Sequence, residues 1–488
     1  MSEFAKRFKV KTRAELMSQA DKKKIHEAAL EVMEDVGVRI HSPTAREALK
    51  RAGAVVDDST EVVKFPVSVV NSLTRKIPKE ITLAGRTKEY DLPLDGTHCY
   101  FTTDGCGVHV WEPKTRTRRP SVLEDIRRTA IISDYLPYVS VYEPMVVAHD
   151  VPQRIHVVRG VQVAMENTSK HILTESTSNP EEARAQVRMA AEVVGSIEEL
   201  RKRHYISAMV CTVSPLVLEG PTTEAAMVWA EHHVPVHITG MAQAGMNAPA
   251  TIPGDLVVNH AETLALACAM QAHSPGCPLM YGSVLSVMDP RTGAYVGGSP
   301  EATVLCALAV EMAKFCEIPN STGGLGSSAK VPGVQACIEN TVSAMMCAIV
   351  GGEVVNGLGV PDGSTLLSYE QLLFDHEIAG MTVKTFKGVE VNEDTLAVDL
   401  IKKVGIGGTY LGLKHTLAHI REYHVQLLWQ NESFDQLVRK GGMDSLMAAN
   451  ERVESILREH RPEPLDRDVA SRIDSIVKEF GGGRPGNA

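Results

Sequence analysis

The sequence predicts an α/β fold: a (β/α)8 barrel with an N-terminal α+β extension and C-terminal helices. The first observation behind this is a series of eight short β-branched or apolar segments, each ending in small and polar residues and followed by a helical stretch, spaced about 30–40 residues apart. The second is that no GxGxxG follows any of these segments and no GxxxxGK[ST] occurs, which leaves a doubly wound nucleotide-binding sheet as the weaker alternative. The third is bulk. The chain has 488 residues, 44% hydrophobic and 23% charged, enough to bury a large core.

Taken in order, residues 13–52 carry a helical repeat through Leu16, Ala20, Ile25, Ala29, Val32 and Val36, ended by Gly37. A second amphipathic run starts at His41-Ser42-Pro43, where Ser42 can cap and Pro43 suits the first helical turn. Short strands at 62–65 and 81–83 flank a helix over 67–76, so residues 1–96 form the α+β extension. The barrel, 97–390, draws its strands from 98–105, 139–147, 171–177, 205–216, 234–245, 277–284, 318–324 and 348–359. Residues 391–488 turn mostly helical, with Asp394, Ser433, Asp444 and Asp468 as cap or first-turn residues, and are expected to buttress the barrel or join protomers.

Composition excludes several classes. Fifty Lys plus Arg against sixty Asp plus Glu give a net charge of −10 with no long basic block, which argues against nucleic acid. The charged opening segment holds no apolar signal core, and no later stretch approaches the ~20 apolar residues a membrane span needs, so a cytoplasmic protein is expected. Nine cysteines occur singly without CxxC spacing, which reads as reduced thiols.

Several segments together resemble a known family: PGCPLMYGSVLSVMDPRTG (275–293), IPNSTGGLGSSAKVPGVQACIEN (318–340), YEQLLFDHEIAG (369–380) and GIGGTYLGLKHTLAHIR (405–421). The likeness extends through 95–113, 117–128 and 244–265, and so covers nearly the whole chain. The chain is similar to the trimethylamine:corrinoid methyltransferase family, in its branch without pyrrolysine. The resemblance implies a barrel that moves a methyl group from a quaternary amine, such as glycine betaine or a related betaine, to the Co(I) corrinoid of a small partner protein. The loop matching the pyrrolysine position, 326–330, holds only ordinary residues here. A free tertiary amine is a poor methyl donor, whereas a quaternary ammonium carries its leaving group ready-made. The D-x-H-x-x-G signature of corrinoid carriers is absent, since His376 in DHEIAG falls one place early, so the corrinoid is expected from the partner.

Under that implication, a quaternary ammonium, lacking an N–H, calls for aromatic faces and carboxylates. Tyr100, Phe101, Tyr142 and Tyr281 near predicted strand ends are the substrate-binding aromatics, with filling of the barrel as the plain alternative. Asp104, Glu143 and Glu175 at the C-terminal ends of the first three strands form the catalytic, cation-stabilising set, with caps or loop bonds as the alternative. Ser327 and Lys330, in a glycine-rich loop leading into a helix, suit the substrate carboxylate unless the loop is a tight turn with a solvated lysine. Gln335, Asn356 and His415 are the corrinoid-facing candidates, with Gln371 and Asp375 weaker.

No bound metal or nucleotide is expected: His232, His233 and His237 do not share a face, and no HExxH occurs. Expected partners are the corrinoid protein, the amine and further copies of the chain. Two other readings stay open, a lyase or hydrolase sharing only the scaffold, and a non-catalytic betaine-binding protein.

Overall fold

The computed structural model describes residues 8–174, 179–428, 433–439 and 444–482. Eight parallel strands close into a barrel in sequential order: β1 (Tyr100–Thr103), β2 (Val141–Tyr142), β3 (His171–Thr174), β4 (Ile206–Cys211), β5 (Val236–Gly240), β6 (Leu279–Ser283), β7 (Asn320–Gly323) and β8 (Val354–Leu358). Closure sets Val354 opposite Tyr100 and Val355 opposite Phe101. A major helix follows each strand: α1 (Leu123–Tyr135), α2 (His156–Asn167), α3 (Pro180–Val194), α4 (Gly220–Glu231), α5 (Ile252–His273), α6 (Pro300–Phe315), α7 (Val334–Val350) and α8 (Tyr369–Phe386).

All eight expected strands are present, but shorter than their apolar runs. β2 stops after two residues, just ahead of Pro144, which has no N–H to give a ladder. The eighth segment begins later than expected. Residues 348–350 finish α7, and Gly351 (φ 105°) takes the left-handed cap before the chain turns into β8.

Strand alternation then decides what fills the barrel. Tyr100, Val141, Leu173, Met280 and Val354 face inward near the strand starts and pack with Ile81, Leu83, Leu92 and Leu94. Those last four belong to an antiparallel pair, Ile81–Leu83 with Leu92–Leu94, so part of the extension plugs the N-terminal end instead of lying wholly outside. Next to this layer, the Ser207 hydroxyl bridges His171 (2.8 Å) and His237 (3.0 Å). Burial pushes both imidazoles down to about 3, so they are neutral polar fillers.

The rest of the extension packs on α5 through helices Gln19–Asp35, Pro43–Arg51 and Val67–Thr74. Ser42 caps the second of these by accepting from Ala45 N, and Pro43 opens it, as the sequence indicates. Strand Val38–Ile40 pairs in parallel with Val217–Leu218 from the loop after β4, which ties the extension to the C-terminal rim. Of the C-terminal helices, Ser445–Glu459 packs on α8 and α1, and Arg467–Gly482 on α3 and α2. Asp444 caps the first of them at Met447 N, 2.9 Å away. Between α8 and these helices runs an arm whose Val389, Ile406, Leu411 and Val425 are exposed. Among the described residues no helix is long and apolar enough to cross a membrane.

Candidate active site

The C-terminal ends of the strands, where barrel enzymes place their chemistry, bring acids and an aromatic together. β1 runs into Asp104, whose carboxylate accepts from the Ser364 hydroxyl and from the N–H groups of Gly105 and Cys106. Burial raises its pKa, and these three bonds oppose the rise. Ser364 belongs to a left-handed turn after β8, in which Asp362 (φ 60°), Gly363 (φ 60°) and Ser364 (φ 66°) follow one another. Two of the three carry a side chain, a conformation that costs on the order of 1–2 kcal/mol per residue. Tertiary bonds hold it: Asp362 N donates to Ala329 O (2.9 Å), Gly363 N to Ser327 O (3.0 Å), and Lys330 pairs with Asp362.

Gly363 is where this turn meets Tyr295, since a Cβ there would sit 3.1 Å from the ring. Tyr295 belongs to a hairpin after β6, Ser286–Met288 with Tyr295–Val296. Its phenol is held far toward the protonated form, by burial first and then by Cys306, Asp104 and Cys106. The mouth thus sets an aromatic ring within electrostatic reach of a carboxylate. Glu143, 2% exposed, stands beside them, for a Cβ on Gly105 would lie 2.6 Å from its Oε1. Its backbone is pinned to β1 in both directions: Glu143 N donates to Thr103 Oγ1 (2.7 Å), and that hydroxyl donates to Glu143 O (2.8 Å). Asn356 ends the inward face of β8 and accepts from Ser321 Oγ at 3.3 Å. Glu175 lies outside the described residues.

The 326–330 loop does not offer the open anion site expected of it. Glu339, one turn and more into α7, accepts from Ser327 Oγ (2.7 Å), Ser328 N (2.9 Å) and Gln335 Nε2 (2.8 Å). Ser328 Oγ in turn accepts from Gly297 N at 3.0 Å. Lys330 is exposed and paired with Asp362. The chain's own carboxylates therefore already occupy the positive features of this loop, and Gln335 is part of that lock.

The expected aromatic cage is not assembled. Tyr100 packs in the plug layer at the opposite end of the barrel, and Phe101 faces out into the helix layer. Tyr142 reaches α1, bonding Thr129 Oγ1 and Ile126 O, each at 2.9 Å. Tyr281 reaches α5, where its hydroxyl meets Asn259 Nδ2 (3.2 Å) and His260 Nδ1 (3.0 Å). The cause is parity, since neighbouring residues of a strand face opposite ways. His415 bonds Asp394 O at 3.0 Å and lies over His419 within the C-terminal arm. Asp375 braces the strand end from behind: it accepts from Asn340 Nδ2 (2.9 Å), Gln371 Nε2 (2.8 Å) and Gly359 N (2.8 Å), with burial raising its pKa to about 6.

Sequence reasoning missed Tyr295 and Ser364, both in loops. The one available signal was that Tyr295 lies two residues beyond the family-like segment 275–293. It also passed over Asp255, fully buried in the first turn of α5 with neither carboxylate oxygen hydrogen-bonded among the described residues. Burial, with a smaller contribution from Glu262, pushes Asp255 up to about 7. A cleft of about 610 Å3 lies away from this mouth, lined by Tyr135, Tyr138, His376, His424 and His460.

A closed barrel of eight parallel strands, each followed by a helix, defines a (β/α)8-barrel protein, with two acids and an aromatic at the C-terminal mouth where such enzymes carry their sites. The chain belongs to the trimethylamine methyltransferase (MTTB) family, whose model matches residues 3–479, and it is a methyltransferase of that family. It is 31% identical over 455 residues to trimethylamine methyltransferase MttB of Desulfitobacterium hafniense (strain DSM 10664 / DCB-2), covering 93% of this chain and 92% of that one. It is 31% identical to MttB of Methanosarcina barkeri (strain Fusaro / DSM 804), covering 95% and 94%. The glycine betaine methyltransferase of Desulfitobacterium hafniense (strain Y51) is 27% identical over 96% of this chain and 97% of its own. Among solved structures, the monomethylamine methyltransferase MtmB of Methanosarcina barkeri shares the fold, with a TM-score of 0.51, 12% identity, and 95% and 94% coverage.

Proposed function

We propose that this methyltransferase takes its methyl group from a quaternary amine, glycine betaine or a related betaine, and passes it to the Co(I) corrinoid of a small partner protein. The observation that carries this is the Asp104–Tyr295 mouth. A quaternary ammonium has no N–H to donate, and a carboxylate beside an aromatic face is what recognises it. The ordinary residues of the 326–330 loop support the same division, and so does the likeness to a glycine betaine methyltransferase.

The corrinoid acts as methyl acceptor and supplies the nucleophile. The chain's residues do the rest: Asp104 faces the cation, Tyr295 gives it an aromatic wall, and the buried Glu143 side chain backs them. No proton moves, because the departing nitrogen is already cationic. The rate gain therefore comes from water exclusion and from holding one N-methyl group in line with the acceptor.

The test is methyl transfer to a reduced corrinoid protein, followed by the cobalamin absorbance change, with glycine betaine, proline betaine, carnitine, butyrobetaine, tetramethylammonium and trimethylamine. Turnover is expected with at least one quaternary amine and not with trimethylamine. Turnover of trimethylamine at a similar rate, or of none of the quaternary amines, rejects the reading.

A further inference from the structure

We propose that His26, His260 and Cys316 form a zinc site that fastens the N-terminal helix to the barrel wall. The three residues come from separate elements. His26 is on helix Gln19–Asp35, His260 is on α5, and Cys316 caps α6 at its C-terminal end. One donor atom from each lies within 4.8 Å of the other two. The closest approach is His26 Nδ1 to His260 Nε2, 2.9 Å, with the rings tilted by 60°.

The nitrogen pair already stands near the spacing of a coordination sphere. Zinc bonds of about 2.0–2.1 Å to nitrogen and 2.3 Å to sulfur, at tetrahedral angles, put ligand atoms roughly 3.3–3.6 Å apart. The two imidazole nitrogens need to part by only about 0.4 Å to admit the ion. The outer contacts suit it too. His260 Nδ1 meets the Tyr281 hydroxyl at 3.0 Å, which sets the ring so that Nε2 faces the site. His260 is fully buried, whereas His26 and Cys316 are only partly so, which leaves the outer two ligands within reach of solvent.

Two imidazoles and a thiolate are a borderline-soft donor set, which favours Zn2+ over Mg2+ or Ca2+. Binding forms a Zn–S bond at the expense of the Cys316 S–H, and the proton passes to solvent, one per ion. Without metal, the Tyr281–His260–His26 contacts stand as a hydrogen-bond chain, so the fold does not depend on the ion being present. The site also departs from the expectation of no bound metal, because the three residues lie far apart in sequence, His26 and His260 by 234 positions, and no spacing pattern marks them.

A second group of ligand-type residues, Asp394, His415 and His419, sits on the exposed arm and is removed from the test by working in a His415→Ala/His419→Ala background. The full chain is stripped with chelator and titrated with Co2+, then with Zn2+ in competition with a chromophoric chelator. The expected result is one equivalent bound, a thiolate-to-cobalt charge-transfer band in the near ultraviolet, one proton released per Zn2+, and a higher melting temperature with zinc. His26→Ala should weaken binding at least 100-fold. Cys316→Ser should abolish the band, while Cys106→Ser, at an exposed cysteine elsewhere, leaves it intact. If Cys316→Ser does not fold, His26→Gln, at a partly exposed position, carries the test through the loss of affinity. Absence of a thiolate band in the parent, its survival in Cys316→Ser, or unchanged zinc affinity in the His26 variant overturns the proposal.

Discussion

Ser364 donates its hydroxyl proton to Asp104, joining the left-handed turn after β8 to the end of β1 at the point where the barrel closes. That bond opposes the desolvation that raises the Asp104 pKa, and so keeps a half-buried carboxylate available to meet a cation.

The pH dependence of turnover follows. Asp104 is useful as the anion, so kcat/KM should fall as pH drops through a pKa above the ordinary aspartate range. Removing the hydroxyl with Ser364→Ala takes away an interaction that favours the anion, and the acid limb should move to higher pH. Asp104→Asn should lose at least 100-fold in kcat/KM at every pH, while its melting temperature stays close to the parent's. A pH profile of the three proteins checks both statements.

In the proposed site Tyr295 supplies the aromatic wall. Tyr295→Ala should raise KM for the amine about 3- to 30-fold, the range expected from a cation–π contact of ~0.5–2 kcal/mol, whereas Tyr295→Phe should stay within a few-fold of the parent. Initial rates across an amine concentration series measure this. Equal losses in both variants would indicate that the hydroxyl, and not the ring, matters.

Lys330 is exposed and paired with Asp362, and the donors of its loop serve Glu339. An exposed ion pair contributes about 0–1 kcal/mol. Lys330→Ala should therefore leave the melting temperature within a degree or two of the parent's and the KM for a betaine within about twofold. A tenfold rise in KM would show instead that the lysine swings away from Asp362 to hold the substrate carboxylate.

Asp255 gives a stability prediction with a definite sign. Its pKa is raised from the ordinary 3.8 to about 7, so the stability it contributes is complete below pH 4 and is lost as pH rises through 7. The effect is on the order of 4 kcal/mol at most. The melting temperature of Asp255→Asn, measured relative to the parent, should therefore climb by several degrees between pH 5 and pH 8. Glu353, also held up to about 7, acts in the same window in both proteins and cancels in the comparison.

The order of the elements was legible in the sequence because it is local. Eight apolar runs at helix-plus-loop spacing, and caps such as Ser42 ahead of Pro43, need only the residues within a turn or two to be read. Asp104 and Glu143 were legible for a related reason: each ends a barrel strand, and the C-terminal end of a parallel strand faces the mouth whatever the register. The family resemblance added the chemistry that these carboxylates are proposed to serve.

Which face each aromatic took was decided only on closure. Tyr100 and Phe101 are adjacent, yet one enters the plug layer and the other the helix layer, and Tyr142 and Tyr281 share the outward parity. A one-residue change of register would have reversed them all. Tyr295 and Ser364 reach the mouth because loops after different strands pack on each other, and Lys330 is engaged because Asp362, 32 residues later, is folded back onto it. The sequence by itself therefore determined the barrel, its order and the acids at its rim, since those follow from local periodicity and from the direction of parallel strands. Only the tertiary structure decided which polar groups at that rim are open to a ligand and which the chain has already paired, because that depends on contacts between residues far apart in sequence.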